Sequence, residues 1–551
     1  MPSPVDDKKS AQTNALEVAR TATQKAVQNG DINRAVAIAT DALRNGHQDA
    51  LFYNLRAYAL EQQGHLEDAL GDLNRASRLA PDDAMVQNAL GLCLTRLERW
   101  QDAIAVFRNA VRNDPTFPFA HFNLATALER TGRLDEARQY YIRTHELDSA
   151  AAEPLAYLAA LASRRAAWAE ANDWADKALS RNPKSHLAIT ARIRVCLATA
   201  RYPQAETYIE TVLSDDTTPP VERTVTLNLK GDLYHAQRRY HEAFVAYTQG
   251  NAEQRTLFAP TFERPDGVTA YNYTQWLRTY FAKVDNNWRI TPRPGPTSDE
   301  TGHAFLMGFP RSGTTLLENV LASNPAIVSL EEKPVLTAGV RAYLTQDGGP
   351  DRLAKAGQNE LDSYRRDYWK RVSGYLGVTG KFFIDKEPLS TIKLPVIAKL
   401  FPSAKILFAI RDPRDVILSC FRRQFNLNPS MYELLTLEGA ANFYAAVMEL
   451  GELYREKLGL DWYVVRHEAL VDDFEGETRK VCAYLGVDWT AEMHHFADHA
   501  RSKQISTPSA LQVMRGLNRD GMGQWRHYAE ELKPVLPILM PWIKKFGYPK
   551  D

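Results

Sequence analysis

Cysteine is scarce in this chain of 551 residues: only Cys93, Cys196, Cys420 and Cys482, far apart and without a CxxC pair or a cysteine/histidine spacing. That excludes a disulfide framework and a zinc site, and four reduced core thiols are expected. Net charge is absent as well, since 67 Lys plus Arg balance 67 Asp plus Glu. No global field draws the chain to nucleic acid or to an anionic membrane, so any anion site must be built locally. No apolar run reaches the ~20 residues of a membrane span, and the first residues, MPSPVDDKKSAQTNALEVARTATQ, hold none of signal-peptide length. A cytoplasmic protein without a nucleic-acid partner is the expectation. What the chain does have is length, too much for one core, with an ordinary hydrophobic share of 44%.

The first half repeats. Ala35, Ala69, Ala103, Ala137, Ala171 and Ala205 follow one another at 34-residue intervals, and three positions before each stands a large apolar residue: Ile32, Leu66, Trp100, Leu134, Trp168, Tyr202. Tyr240 and Ala243 repeat the pattern after four extra residues, and Pro81, Pro115 and Pro183 follow helix pairs. Thirty-four residues is one helix-turn-helix unit, and residues 15–250 resemble the tetratricopeptide repeat. The small alanine lets two helices approach, the bulky residue packs at the start of the second, and stacked pairs form an α-solenoid with a concave face. Two uses stand open: holding a peptide or protein, or serving as scaffold and homo-oligomer contact. Arg96, Arg130, Arg164 and Arg165, near the inter-helix turns, are either ligand contacts or solvated. The first fourteen residues are expected to be disordered. Residues 251–302 form a connector, with a helix around Tyr271–Val284 that docks on the second domain and a Pro/Gly/Ser-rich stretch, RITPRPGPTSDETG.

From residue 303 to 551 short apolar strands alternate with helices, which implies a parallel sheet covered on both faces, a three-layer α/β domain. Its organising stretch is His303–Leu317, HAFLMGFPRSGTTLL: a strand, a glycine turn, then a helix from near Thr314. Backbone N–H groups and a positive helix end surround one anion-sized hollow there. Gly308-x4-Gly313 has the spacing of a nucleotide-binding P-loop, but Thr314 and Thr315 stand where Lys and Ser/Thr belong, and the cation lies inside the loop as Arg311. Such a P-loop-like turn suits a nucleotide phosphate and is poorly equipped for Mg-dependent NTP hydrolysis. An ordinary strand-turn-helix junction is the alternative.

Sites in such folds sit at the carboxyl ends of the strands. Those ends carry Arg311 and Ser312, then Asp385 and Lys386, then Arg411, Asp412 and Arg414, then His467 and Glu468. Within ILFAIRDPRDVILSCFRRQF, Arg411 leaves the strand, Pro413 opens the next element, and Ser419 and Arg423 lie four apart on one helix face. That is a fork of donors for a second phosphate. The competing reading is an arginine–aspartate network with Asp412 or Asp415.

These two loops, FPRSGTTLLENVL and RDPRDVILS, resemble the cofactor loops of sulfotransferases, which use 3'-phosphoadenosine 5'-phosphosulfate (PAPS) and release PAP. The resemblance covers about residues 300–535 and is nearest to tyrosylprotein sulfotransferases and to bacterial proteins fusing tetratricopeptide repeats to such a domain. It implies that Arg311, Ser312, Gly313, Thr314 and Thr315 hold the 5'-phosphosulfate, and that Arg411, Ser419 and Arg423 hold the 3'-phosphate. Leu330-Glu331-Glu332 stands for the family's Gly-Glu-Glu, making Glu331 the general base, with Glu332 as the neighbouring choice. Lys386-Glu387-Pro388 stands for Lys-Asp-Pro, and Ser509-Ala510-Leu511-Gln512-Val513 for Ser-x-x-Gln-Val, so Lys386 and Ser509 join the catalytic set. Lys386 could instead pair with Asp385 or Glu387. His467-Glu468-Ala469-Leu470 departs from Tyr-Glu-x-Leu, so imidazole would replace the nucleotide contact of tyrosine. Trp525 lies either against adenine or in the core. The resemblance implies no metal, since side chains supply the cations, and an acceptor hydroxyl on a peptide or protein, with tyrosine the family precedent. A small molecule, lipid or saccharide acceptor and a non-catalytic adaptor are the alternatives.

Overall fold

The structure, a computed structural model, describes residues 4–264, 267–284, 288, 300–502 and 510–550. It divides into two compact units, Met1–Val195 and Cys196–Asp551.

In the first unit each 34-residue period is a helix pair, and the second helix of each pair starts at the bulky apolar residue: Ile32–Arg44, Leu66–Leu79, Trp100–Asn113, Leu134–Leu147 and Trp168–Arg181. The repeating alanines Ala35, Ala69, Ala103, Ala137 and Ala171 are fully buried, as close helix approach requires. Where no alanine serves, the approach is closer still: a Cβ on Gly91 would meet the Phe107 ring at 2.3 Å. Arginines at the turns tie one repeat to the next, Arg96 to Glu61 at 3.0 Å and Arg164 to Glu129 at 2.6 Å. Arg165 pairs with Asp135, and Arg130 lies over the Trp100 ring. The opening helix, Pro4–Gln28, takes in most of the stretch expected to be disordered.

In the second unit a helical hairpin, Pro220–Ala236 and Tyr240–Phe262, precedes the sheet. The connector helix is Ala270–Lys283; its Phe281 packs edge-on against Tyr454 at 4.9 Å, and Arg278 pairs with Glu449. Five parallel strands follow: β1 Gly302–Gly308, β2 Ile327–Glu331, β3 Phe382–Lys386, β4 Lys405–Ile410 and β5 Asp461–Arg466, in the spatial order β2-β3-β1-β4-β5. Alternate residues enter separate cores. Phe305, Met307, Ile406 and Phe408 face one, with the helix Leu437–Leu458; Ala304, Leu306, Leu407 and Ala409 face the other, with Leu317 and Val320. Burial on both faces explains why β1 and β4 read as unbroken apolar runs. Among the described residues, no helix is long and apolar enough to cross a membrane.

Candidate active site

Registry brings the candidate side chains together. Lys386 at the end of β3 lies beside Leu306 of β1 on one side and Glu331 of β2 on the other. Strand β1 then runs past Gly308, whose Cβ would stand 2.5 Å from the Ala409 carbonyl oxygen, so only glycine lets β1 and β4 pair this closely. The turn closes at Gly313, in the left-handed region at φ 99°, and the helix Thr314–Ala322 starts from it. A Cβ on Gly313 would also meet His467 Nδ1 at 2.7 Å.

Arg311 takes φ 71°, a left-handed conformation unusual for a non-glycine residue. Neighbouring contacts hold it there. Its Nε donates to Ser419 Oγ at 2.9 Å and its Nη2 to Gln512 Oε1 at 2.8 Å, while Arg411 Nη1 donates to its carbonyl at 3.2 Å. Arg411 also donates to the Gly521 carbonyl, and among the described residues its buried Nε has no protein partner. Burial, then the neighbouring Arg423 and Arg411, push the Arg311 guanidinium down to about 9. Positive potential is thus concentrated at this point of a neutral chain. Arg311, Gly313, Leu316, Arg411, His467 and Gln512 line one open cavity.

His467 follows β5 at that cavity, and burial, then Arg411 and Arg311, push its imidazole down to about 3. It is a neutral hydrogen-bonding group near pH 7, and among the described residues its buried Nδ1 has no protein partner. Glu468 is structural: it accepts from the Asp412 amide at 3.0 Å and from the Tyr548 hydroxyl at 2.7 Å, fixing the loop after β4.

The second cluster lies at the ends of β2 and β3. The fully buried Lys386 ammonium stands 3.3 Å from Glu318, 3.4 Å from Glu331 and 2.8 Å from Glu332. Burial would lower its pKa, but Glu318, Glu332 and Glu331 outweigh that and raise it, so the ammonium stays charged. Lys386 therefore pairs with these carboxylates, and Glu387 pairs with Lys393 instead. Glu318 escaped the sequence reading although it left a signal, an acid in the apolar helix TTLLENVLA. It is fully buried and also accepts from Ser329 Oγ at 2.9 Å.

The other positions are equally plain. Ser312, Thr314 and Thr315 are buried in the turn and first helical turn. Arg423 is half-exposed, 3.6 Å from Asp232. Trp525 is buried, stacked under the Arg414 guanidinium at 3.6 Å, and is not among the cavity-lining residues. Ser509 lies outside the described residues; the nearby Gln512, which does reach Arg311, was visible in the Ser-x-x-Gln-Val segment.

The architecture is a parallel-sheet α/β domain whose first strand turns through glycines into a helix, with arginines gathered at the carboxyl edge. Residues 304–491 match the model of the sulfotransferase family, and residues 24–84, 55–118 and 88–152 match the tetratricopeptide repeat. An uncharacterised protein of Aquifex aeolicus is 25% identical over 259 residues, 45% of this chain and 33% of its own. Protein-tyrosine sulfotransferase 2 of Gallus gallus is 25% identical over 268 residues, 46% of this chain and 70% of its own. Protein-tyrosine sulfotransferase 1 of Mus musculus is 28% identical over 260 residues, 44% and 69%. The chain thus spans a third of the first relative and about seven tenths of the other two.

Proposed function

We propose that this protein moves a sulfuryl group from PAPS to an acceptor hydroxyl on a peptide or protein, with tyrosine the favoured side chain. The observation that carries the reading is the joining of the two loops around one cavity: Arg311 of the first bonded to Ser419 of the second, with Arg411 clamping the Arg311 carbonyl. The residues fit the donor. Among the described residues, the buried Arg411 Nε and His467 Nδ1 have no protein partner, which leaves both to a ligand.

When bound, PAPS supplies the activated sulfuryl group and leaves as PAP. The amides of Gly313, Thr314 and Thr315 hold the 5'-phosphate, and Arg411, Ser419 and Arg423 face the 3'-phosphate. Glu331 takes the acceptor proton. Arg311 and Lys386 neutralise charge on the sulfuryl and bridging oxygens, and Glu318 and Glu332 hold Lys386 in place. Tyrosine sulfation is supported by the named relatives, and a protein acceptor by the repeats. Cytoplasmic residence remains part of this proposal.

The test is incubation with PAPS and a cell extract, scoring species heavier by one sulfuryl group. Arg311→Ala and Glu331→Ala should each abolish transfer, and Glu331→Ala should still bind PAP. Retained turnover in Glu331→Ala removes the base assignment. Mg-dependent ATP hydrolysis with indifference to PAPS overturns the whole reading.

A further inference from the structure

The helix Pro413–Phe421 follows Arg411 and carries Ser419, so its position sets the second loop of the site. Its last carbonyls, like those of any helix end, have no intrahelical donors. Two of these neighbouring carbonyl groups are satisfied from far away in sequence. Asn251 Nδ2 donates to the Phe421 carbonyl at 2.9 Å, and Asn228 Nδ2 donates to the Arg422 carbonyl at 3.2 Å. Both asparagines are buried and both belong to the hairpin Pro220–Phe262, which continues the repeat pattern.

More contacts converge on the same helix end. Phe244 stacks on Phe421 at 5.3 Å between ring centres, and the Arg422 guanidinium lies over Tyr247 and Tyr528. Tyr247 donates to Asp232 at 2.8 Å, and Asp232 faces Arg423 at 3.6 Å. The His235 ring and the Tyr528 hydroxyl meet at 2.8 Å.

We propose that Asn228 and Asn251 are positioning residues of the donor site, and that the last repeat hairpin is a working part of the transferase domain. They act through the helix end, holding Ser419 where it meets Arg311 and orienting Arg423. The proposal rests on the donor reading above. A repeat that caps a catalytic helix cannot be exchanged for an arbitrary spacer, whatever the earlier repeats do.

The test uses the full chain. Asn251→Ala and Asn228→Ala each remove one capping bond, and PAP affinity measured by calorimetry should fall about fivefold per variant. Hydrogen exchange of residues 413–423 should speed up in both. Tyr247→Phe removes only the hydroxyl facing Asp232; it should lower Tm while leaving PAP affinity within twofold. Unchanged PAP affinity in both asparagine variants overturns the proposal, as does equal loss in Tyr247→Phe at matched Tm. If either alanine variant fails to fold, Asn251→Ser and Asn228→Ser carry the same comparison. A wild-type protein that binds no PAP sinks the donor reading; unchanged exchange at 413–423 sinks the capping claim, so the two failures are told apart.

Discussion

Asp385 and Lys386 are adjacent on β3 and face opposite circumstances. Lys386 meets three carboxylates, whereas among the described residues Asp385 accepts only the Tyr368 hydroxyl at 2.9 Å on one oxygen, its other oxygen buried without a partner. Burial, reinforced by Glu387, raises the Asp385 carboxyl from 3.8 to about 7. The native state then keeps a proton that the unfolded chain releases, so the group costs nothing below pH ~4 and costs progressively more as pH rises through 7. Asp385→Asn cannot ionise, so its Tm relative to wild type should climb between pH 4.5 and pH 8. A difference that stays flat with pH would show that Asp385 ionises unhindered. At this scale much of the site was legible, since Arg311, Arg411 and Lys386 are cations at predicted strand ends. Glu318 and Gln512 were not chosen, because their roles depend on which helix face meets the sheet edge.

At the scale of elements, the turn between the helices of a repeat always uses a left-handed residue. Gly30, Gly64 and Gly132 occupy it at φ 74°, 81° and 83°, but Glu98, Ala166 and Ala200 hold it at 57°, 58° and 55°. Left-handed backbone costs a residue with a Cβ about 1–2 kcal/mol, partly offset by the greater unfolded freedom of glycine. Ala166→Gly should therefore stabilise the chain by about 0.5–1 kcal/mol, read as a higher urea midpoint at constant m. A lower midpoint would mean that the Ala166 methyl makes packing contacts worth more than the strain. The repeat period shows which residue fills this place; the conformation there follows from the need to close the turn in few residues.

For the whole molecule, two compact units, Met1–Val195 and Cys196–Asp551, lead to the expectation of two calorimetric transitions. PAP at a hundred times its Kd should stabilise the unit that holds the site by about 2.7 kcal/mol and leave the other transition in place. If both transitions moved together, unfolding of the two units would be coupled. The sequence by itself determined the solenoid, because a 34-residue period of buried alanines and bulky residues admits one helix-pair packing. It also determined the P-loop-like turn and the order of strands and helices, because those are local in the chain. Only the tertiary structure decided that Lys386 is shared among Glu318, Glu331 and Glu332, that Trp525 sits under Arg414, and that Asn228 and Asn251 cap a helix 194 and 170 residues onward. Those contacts join segments with no local signal for each other; they arise when strand registry and helix packing bring distant backbone ends into reach.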